Sequence, residues 1–108
     1  MERKAKKLVI ITEKVIQAGV CDIIDSCGAT GYTVTAAEGK GSRGIRSSDG
    51  FPSDIGANIK IEVIVSDTAK ADEIAQRIVS NYFQNYSGIT YALDVEILRP
   101  QKFLKNES

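Results

Sequence analysis

Between residues 39 and 56 the chain reads GKGSRGIRSSDGFPSDIG. Three cations, Lys40, Arg43 and Arg46, stand there among five glycines, four serines and one proline. Each of these residue types suits the same chemistry. Glycine permits close backbone approach and positive φ, serine supplies hydroxyl donors, and the planar fork of arginine matches the oxygens of a phosphate. Backbone N–H groups and guanidinium donors can together wrap such an anion. A flexible basic linker without a ligand has the same composition, so composition alone leaves the two readings level. Length adds a second signal: hairpin loops usually have two to five residues, and much longer connections are functional or disordered. Residues 39–56 are therefore expected to form a flexible loop.

Two phosphate motifs fail here on context. Gly39-x-Gly41-x-x-Gly44 has the glycine spacing of a dinucleotide loop, but such a loop opens a helix. Here Ser47, Ser48, Asp49, Gly50 and Pro52 follow, and these favour turns. A Walker A loop needs Ser or Thr after the lysine and a glycine at its start, where this chain has Gly41 and Val34. Catalytic constellations are also thin. The chain has no histidine, so no Ser-His-Asp or Cys-His arrangement is available. The carboxylates Glu38, Asp49, Asp54, Glu62, Asp94 and Glu96 are scattered, and Glu62 reads as a solvated or interface charge. No catalytic residue and no metal ligand is nominated. Metal-assisted phosphohydrolysis, in which substrate phosphates hold the ion, has no positive support. Cys21 and Cys27 fall in one helical stretch, about 9 Å apart along its axis, too far for a disulfide; they read as core residues.

The elements that must position these residues form two similar halves. Residues 7–12 (KLVIIT) read as a buried strand. Ile16, Val20, Ile23, Ile24 and Cys27 recur at helical spacing, with Gly28 as a stop and Gly19 as a weak point. Residues 31–38 (GYTVTAAE) read as a second strand. After the long connection, Ile59, Ile61, Val63 and Val65 alternate in a third strand over 57–66. Asp67 or Thr68 can cap a helix whose apolar stripe is Ala71, Ile74, Ala75, Ile78, Val79, Tyr82 and Phe83. A fourth strand over 89–98 sets Ile89, Tyr91, Leu93, Val95 and Ile97 on one face, and Pro100 ends it. The order β-α-β, gap, β-α-β predicts an α+β ferredoxin-like sandwich: a four-stranded antiparallel sheet with both helices on one face. Thr33, Thr35, Ile64 and Ala92 are expected on the other face, which would pack against another subunit.

Bulk properties bound the rest. The 108 residues suit a single domain, 43% hydrophobic and 26% charged, with 14 basic and 14 acidic side chains. No bulk charge points to nucleic acid or membrane. The basic run Arg3, Lys4, Lys6 and Lys7 reads as a solvated tail, and 100–108 as a loose one. No apolar run approaches a membrane span, and no signal peptide is evident, so a cytoplasmic protein is expected. An RNA-binding sheet would stack bases on aromatics, and ANIKIEVIVS has none.

Taken together, KLVIITEK, GATGYTV, GKGSRGIRSS, SDIGANIKIEV and YFQNYSGITY resemble the PII-like signalling proteins, and most closely the SbtB type, a regulator of a bicarbonate transporter. The resemblance covers residues 7–98. It implies a ferredoxin-like homotrimer that binds adenine nucleotides (AMP, cyclic AMP, ADP or ATP) in clefts between subunits, with no obligatory cofactor. It implies that 39–56 is the T-loop, which contacts a partner, here a membrane bicarbonate transporter that would recruit the protein to the inner membrane. By the same resemblance Thr33 and Val34 would line the adenine pocket, and Gly39 and Gly41 would let the chain pass ribose and phosphate. Ser42, Arg43 and Arg46 would grip the phosphate. Gly88 would offer a backbone N–H from the opposing loop. Lys40, Arg43, Arg46 and Phe51 would meet the partner. Ile89 stands where the nitrogen-branch PII proteins place a phosphate-binding lysine, which weakens the case for outer phosphates and favours AMP or cyclic AMP. The implied activity is signalling without catalysis; the alternative is slow nucleotide phosphohydrolysis in the same cleft.

Overall fold

The computed structural model describes residues 3–38, 40–41, 44–45 and 57–99. The expected mobile loop over 39–56 and the loose tail over 100–108 lie mostly or wholly outside these residues.

Four long strands form one antiparallel sheet. They are β1 (Lys4–Glu13), β2 (Tyr32–Ala37), β5 (Asn58–Val65) and β6 (Gly88–Glu96), in the spatial order β2-β5-β1-β6. Two helices connect them: α1 (Gln17–Ser26), entered through a 3-10 turn at Lys14–Ile16, and α2 (Thr68–Tyr82). Within the long connection, β3 (Lys40–Gly41) and β4 (Gly44–Ile45) pair as a two-rung ladder, with Lys40 opposite Ile45. The βαββαβ order and the antiparallel sheet are those of the ferredoxin-like sandwich expected from the sequence.

The core lies between the sheet and the helices. The β1–β5 register sets Leu8 opposite Val63 and Ile10 opposite Ile61, and the β2–β5 register adds Val34 opposite Ile61. These residues share one face and meet Val20 and Ile24 of α1 with Ala71, Ile74 and Ile78 of α2. Ile10, Ile24, Ile61, Ile74 and Ile78 are completely buried, each contributing about 1.5–3 kcal/mol of hydrophobic stabilisation. Local signals fix the helix ends. Asp67 caps α2 by accepting the Lys70 N–H at 2.9 Å, and Gly28, at φ 85°, follows α1 in the left-handed region that favours glycine. At Gly19 of α1 the Tyr82 side chain of α2 occupies the place a Cβ would take. Lys70 Nζ donates to the Cys27 carbonyl at 2.8 Å, and Arg77 Nη1 to Ser26 Oγ at 2.9 Å, so α2 ties down the end of α1. Cys21 and Cys27 are free and buried.

Three expectations are corrected. The basic run is not a tail: Lys4, Lys6 and Lys7 belong to β1, Lys6 pairs with Asp94, and Lys7 lies 3.6 Å from Glu62. Val79 leaves the α2 stripe, at 43% exposure. The largest correction concerns β6. Its register sets Thr12 opposite Gly88 and Leu8 opposite Ala92, so Ala92 lies on the helix-covered face. Ile89, Tyr91, Leu93 and Val95 lie on the uncovered face, beside Ile11, Val9, Lys7 and Ala5. A period of two shows which residues share a face but not which face it is; a shift of one residue exchanges them. The uncovered face is thus strongly apolar on its β1–β6 side, with Ile89, Tyr91 and Leu93 at 58%, 42% and 43% exposure. On its β2–β5 side it is polar, as expected for Thr33 and Thr35. There Glu62 is ion-paired with Lys7 and Lys60, each at 3.6 Å.

Candidate functional site

Hydrogen-bond alternation in the sheet decides which peptide groups are available to a ligand. Ile97 N–H donates to the Arg3 carbonyl, and Lys14 N–H donates to the Ala57 carbonyl. In an antiparallel pair bonded and non-bonded rungs alternate. Counting from these two bonds along the registers, odd-numbered residues of β6 bond β1, and odd-numbered residues of β2 bond β5. Even-numbered residues of both strands therefore aim their N–H and C=O outward, away from the sheet. Val34 on β2 and Gly88 on β6 are two of these residues, and β2 and β6 are the two edge strands.

The nominated residues can now be placed. Thr33 is exposed on the uncovered face. The Val34 side chain is half-buried against the core, so it is the Val34 peptide groups, not its methyls, that stand at the edge. Lys40 and Gly41 lie in the short β3–β4 ladder, just beyond β2. Gly88 begins β6 and rests on the Phe83 ring, which leaves no room for a Cβ. Ile89, next to it, is exposed on the uncovered face. Gly39, Ser42, Arg43, Arg46 and Phe51 lie outside the described residues. Within one chain these positions do not converge. Thr33 and Val34 belong to one edge and Gly88 and Ile89 to the other, three strand spacings away, or about 14 Å.

Three residues at the β6 end were not singled out from the sequence. Thr12 Oγ1 donates to the Ser87 carbonyl at 2.8 Å, and Ser87 N–H donates to Glu13 Oε2 at 2.7 Å. Thr12 and Glu13 are the buried polar residues of the chain's described part, at 2% and 6% exposure. The signal for them was available: two polar residues closing the apolar run 8–11 of β1.

A depression of about 550 Å³ lies elsewhere, between α1 and the start of β2. Lys14, Cys21, Asp22, Asp25 and Tyr32 are among its lining residues, and it shares none with the nominated site. Its two aspartates disfavour a phosphate. The Tyr32 hydroxyl there is pushed up to about 12, first by its hydrogen bond with Cys21 and further by Cys21 charge, desolvation and the charges of Asp25 and Asp22.

Fold and candidate site together define a ferredoxin-like α+β protein whose chemistry-bearing residues are split between the two edges of its sheet and the connection beyond β2. The description of the nitrogen regulatory protein P-II family matches residues 5–102, and the chain belongs to that family. A PII-like signaling protein from Thermus thermophilus is 37% identical, over 96% of this chain and 100% of that one, with a TM-score of 0.78. CPII from Thiomonas intermedia, in a structure bound to ADP, AMP and bicarbonate, is 32% identical over 93% of both chains, with a TM-score of 0.76. The B. subtilis GlnK–ATP complex, at 20% identity and a TM-score of 0.59, shares the fold.

Proposed function

We propose that the chain is an adenine-nucleotide sensor that signals, rather than catalyses, by controlling how the 39–56 loop meets a partner. One observation carries the reading: the nominated residues stand on opposite edges of one sheet, with outward-facing peptide groups at Val34 and Gly88. A complete site then needs the β2 edge of one copy beside the β6 end of another. Such a contact is heterologous, and heterologous contacts that close give rings, which supports a homotrimer over a two-fold dimer. The apolar side of the uncovered face supplies the surface to bury. The ligand class is supported by CPII, whose structure holds ADP, AMP and bicarbonate.

In this reading the Val34 peptide reads the adenine edge and the Gly88 N–H meets the phosphate. Arg43 and Arg46 close over the phosphate from the loop. Ligand binding shifts the loop between states that a partner distinguishes, and that difference in affinity is the signal. An SbtB-type role at a bicarbonate transporter is supported by the segment GKGSRGIRSS, and it would place the protein in the cytoplasm and draw it to the membrane through that partner. Isothermal titration with AMP, cyclic AMP, ADP and ATP tests the reading. A charge-assisted contact contributes about 1.5–3 kcal/mol, so Arg46→Ala should weaken AMP binding about tenfold or more. Unchanged affinity in that variant, or a monomeric mass in solution, refutes it.

A further inference from the structure

Residues 12–14 form a junction that the nucleotide reading does not use. The β1–β6 ladder stops with Thr12 opposite Gly88. One more main-chain rung would pair Glu13 with Ser87. In its place the Glu13 carboxylate takes the Ser87 N–H at 2.7 Å, with the Ser87 hydroxyl 3.4 Å from the same oxygen. The Thr12 hydroxyl takes the next polar group along, the Ser87 carbonyl, at 2.8 Å. That carbonyl belongs to the same peptide unit as the Gly88 N–H. The unit is trans, so its C=O and N–H point in opposite directions. Holding the carbonyl toward β1 therefore aims the Gly88 N–H away from β1, toward the open edge. A nearly buried carboxylate is costly unless hydrogen-bonded, and Glu13 meets that need with the peptide preceding the aimed one. Lys14 completes the junction by donating its N–H to Ala57, where the chain returns from the long connection.

We propose that Thr12 and Glu13 are positioning residues that preset the Ser87–Gly88 peptide to receive a ligand phosphate. The proposal rests on the nucleotide reading above, and it assigns the task to the end of β1, outside the residues nominated for the ligand. The same three residues hold the exit of the 39–56 connection, so β1 fixes the phosphate-facing peptide and the loop base in one register.

The test separates phosphate from base. Native chain, Thr12→Val, Thr12→Ser, Glu13→Ala and Glu13→Gln are titrated calorimetrically with AMP and with adenosine. Thr12→Val and Glu13→Ala are expected to weaken AMP about tenfold and to leave adenosine within about twofold, because the two hydrogen bonds hold the phosphate-facing peptide and the one before it, not the base-facing edge of β2. Thr12→Ser and Glu13→Gln, which keep the donor and an acceptor, are expected to recover AMP binding to within about threefold. AMP affinity unchanged in both deletions, or adenosine falling in parallel with AMP, overturns the proposal. Amide exchange on the native chain guards against variants that fail to fold: the Ser87 amide, one residue past the ladder, is expected to be protected, and exchange at the open-chain rate overturns the assignment. A native chain that binds no AMP overturns the nucleotide reading as well, whereas AMP binding that survives Thr12→Val and Glu13→Ala overturns the positioning role alone.

Discussion

Replacing Gly88 by alanine tests whether the tight seat on Phe83 is real and whether it is separable from ligand binding. A Cβ at position 88 would enter the Phe83 ring, well inside carbon–carbon contact distance. Moving the ring aside would disturb its packing. Phe83 caps α2, its N–H donates to the Val79 carbonyl at 3.2 Å, and its side chain packs against the core. Overpacking of this kind costs about 1–3 kcal/mol. In a domain near 100 residues each kcal/mol moves Tm by about 4–8 °C, so Gly88→Ala should melt at least about 4 °C below the native chain. Phe83→Leu removes the ring atoms that the new methyl would meet. In a double-mutant cycle followed by urea unfolding, the pair should be less destabilised than the sum of the singles by about 1 kcal/mol or more, a coupling well above the scatter of independent sites. Both variants keep the N–H at position 88, but only the double variant relieves the clash that displaces it, so the double should bind AMP better than Gly88→Ala alone. A Gly88→Ala chain as stable as native, or a cycle that closes additively, refutes the steric argument.

Three further outcomes are expected. Tyr91→Glu places a charge on the apolar side of the uncovered face, where Tyr91 is 42% exposed; ultracentrifugation should show smaller species while circular dichroism stays native-like. Asp67→Ala removes the side-chain acceptor of the Lys70 N–H and should cost about 1 kcal/mol in urea unfolding. Ultraviolet titration should show one tyrosine ionising near 12, and Cys21→Ala should return it toward 10.0. The sign follows from linkage: the folded chain keeps the Tyr32 proton more tightly than the unfolded chain, so this contribution is complete below pH 10 and is lost as pH rises toward 12.

The fold was legible because its signals were local and mutually consistent. The alternation through Ile59, Ile61, Val63 and Val65 and the stripe through Ala71, Ile74 and Ile78 name a strand and a helix without knowledge of the rest. The facing of β6 was not legible. Ile89, Tyr91 and Leu93 are as apolar as a core stripe, and only the pairing of Gly88 with Thr12 turns them to the uncovered side. The N-terminal lysines misled for a related reason: in β1 their charges are met by Asp94 and Glu62, partners distant in sequence. For the candidate site, residue types pointed to Gly88 and to the 39–56 connection. The roles of Thr12 and Glu13 depend on a register 75 and 74 residues long in sequence separation, which no local pattern encodes.

Ala37 and Asn58 face each other as the last pair of the β2–β5 ladder, so the chain enters and leaves the long connection through one closed doorway. What happens beyond it adds little to the sheet's energetics: doubling the length of such a connection costs only about 0.6 kcal/mol in closure entropy. Insertions and deletions in the segment are therefore cheap for the scaffold, and descendants of one sheet can acquire new recipients for the same message while the four-stranded frame stays unaltered.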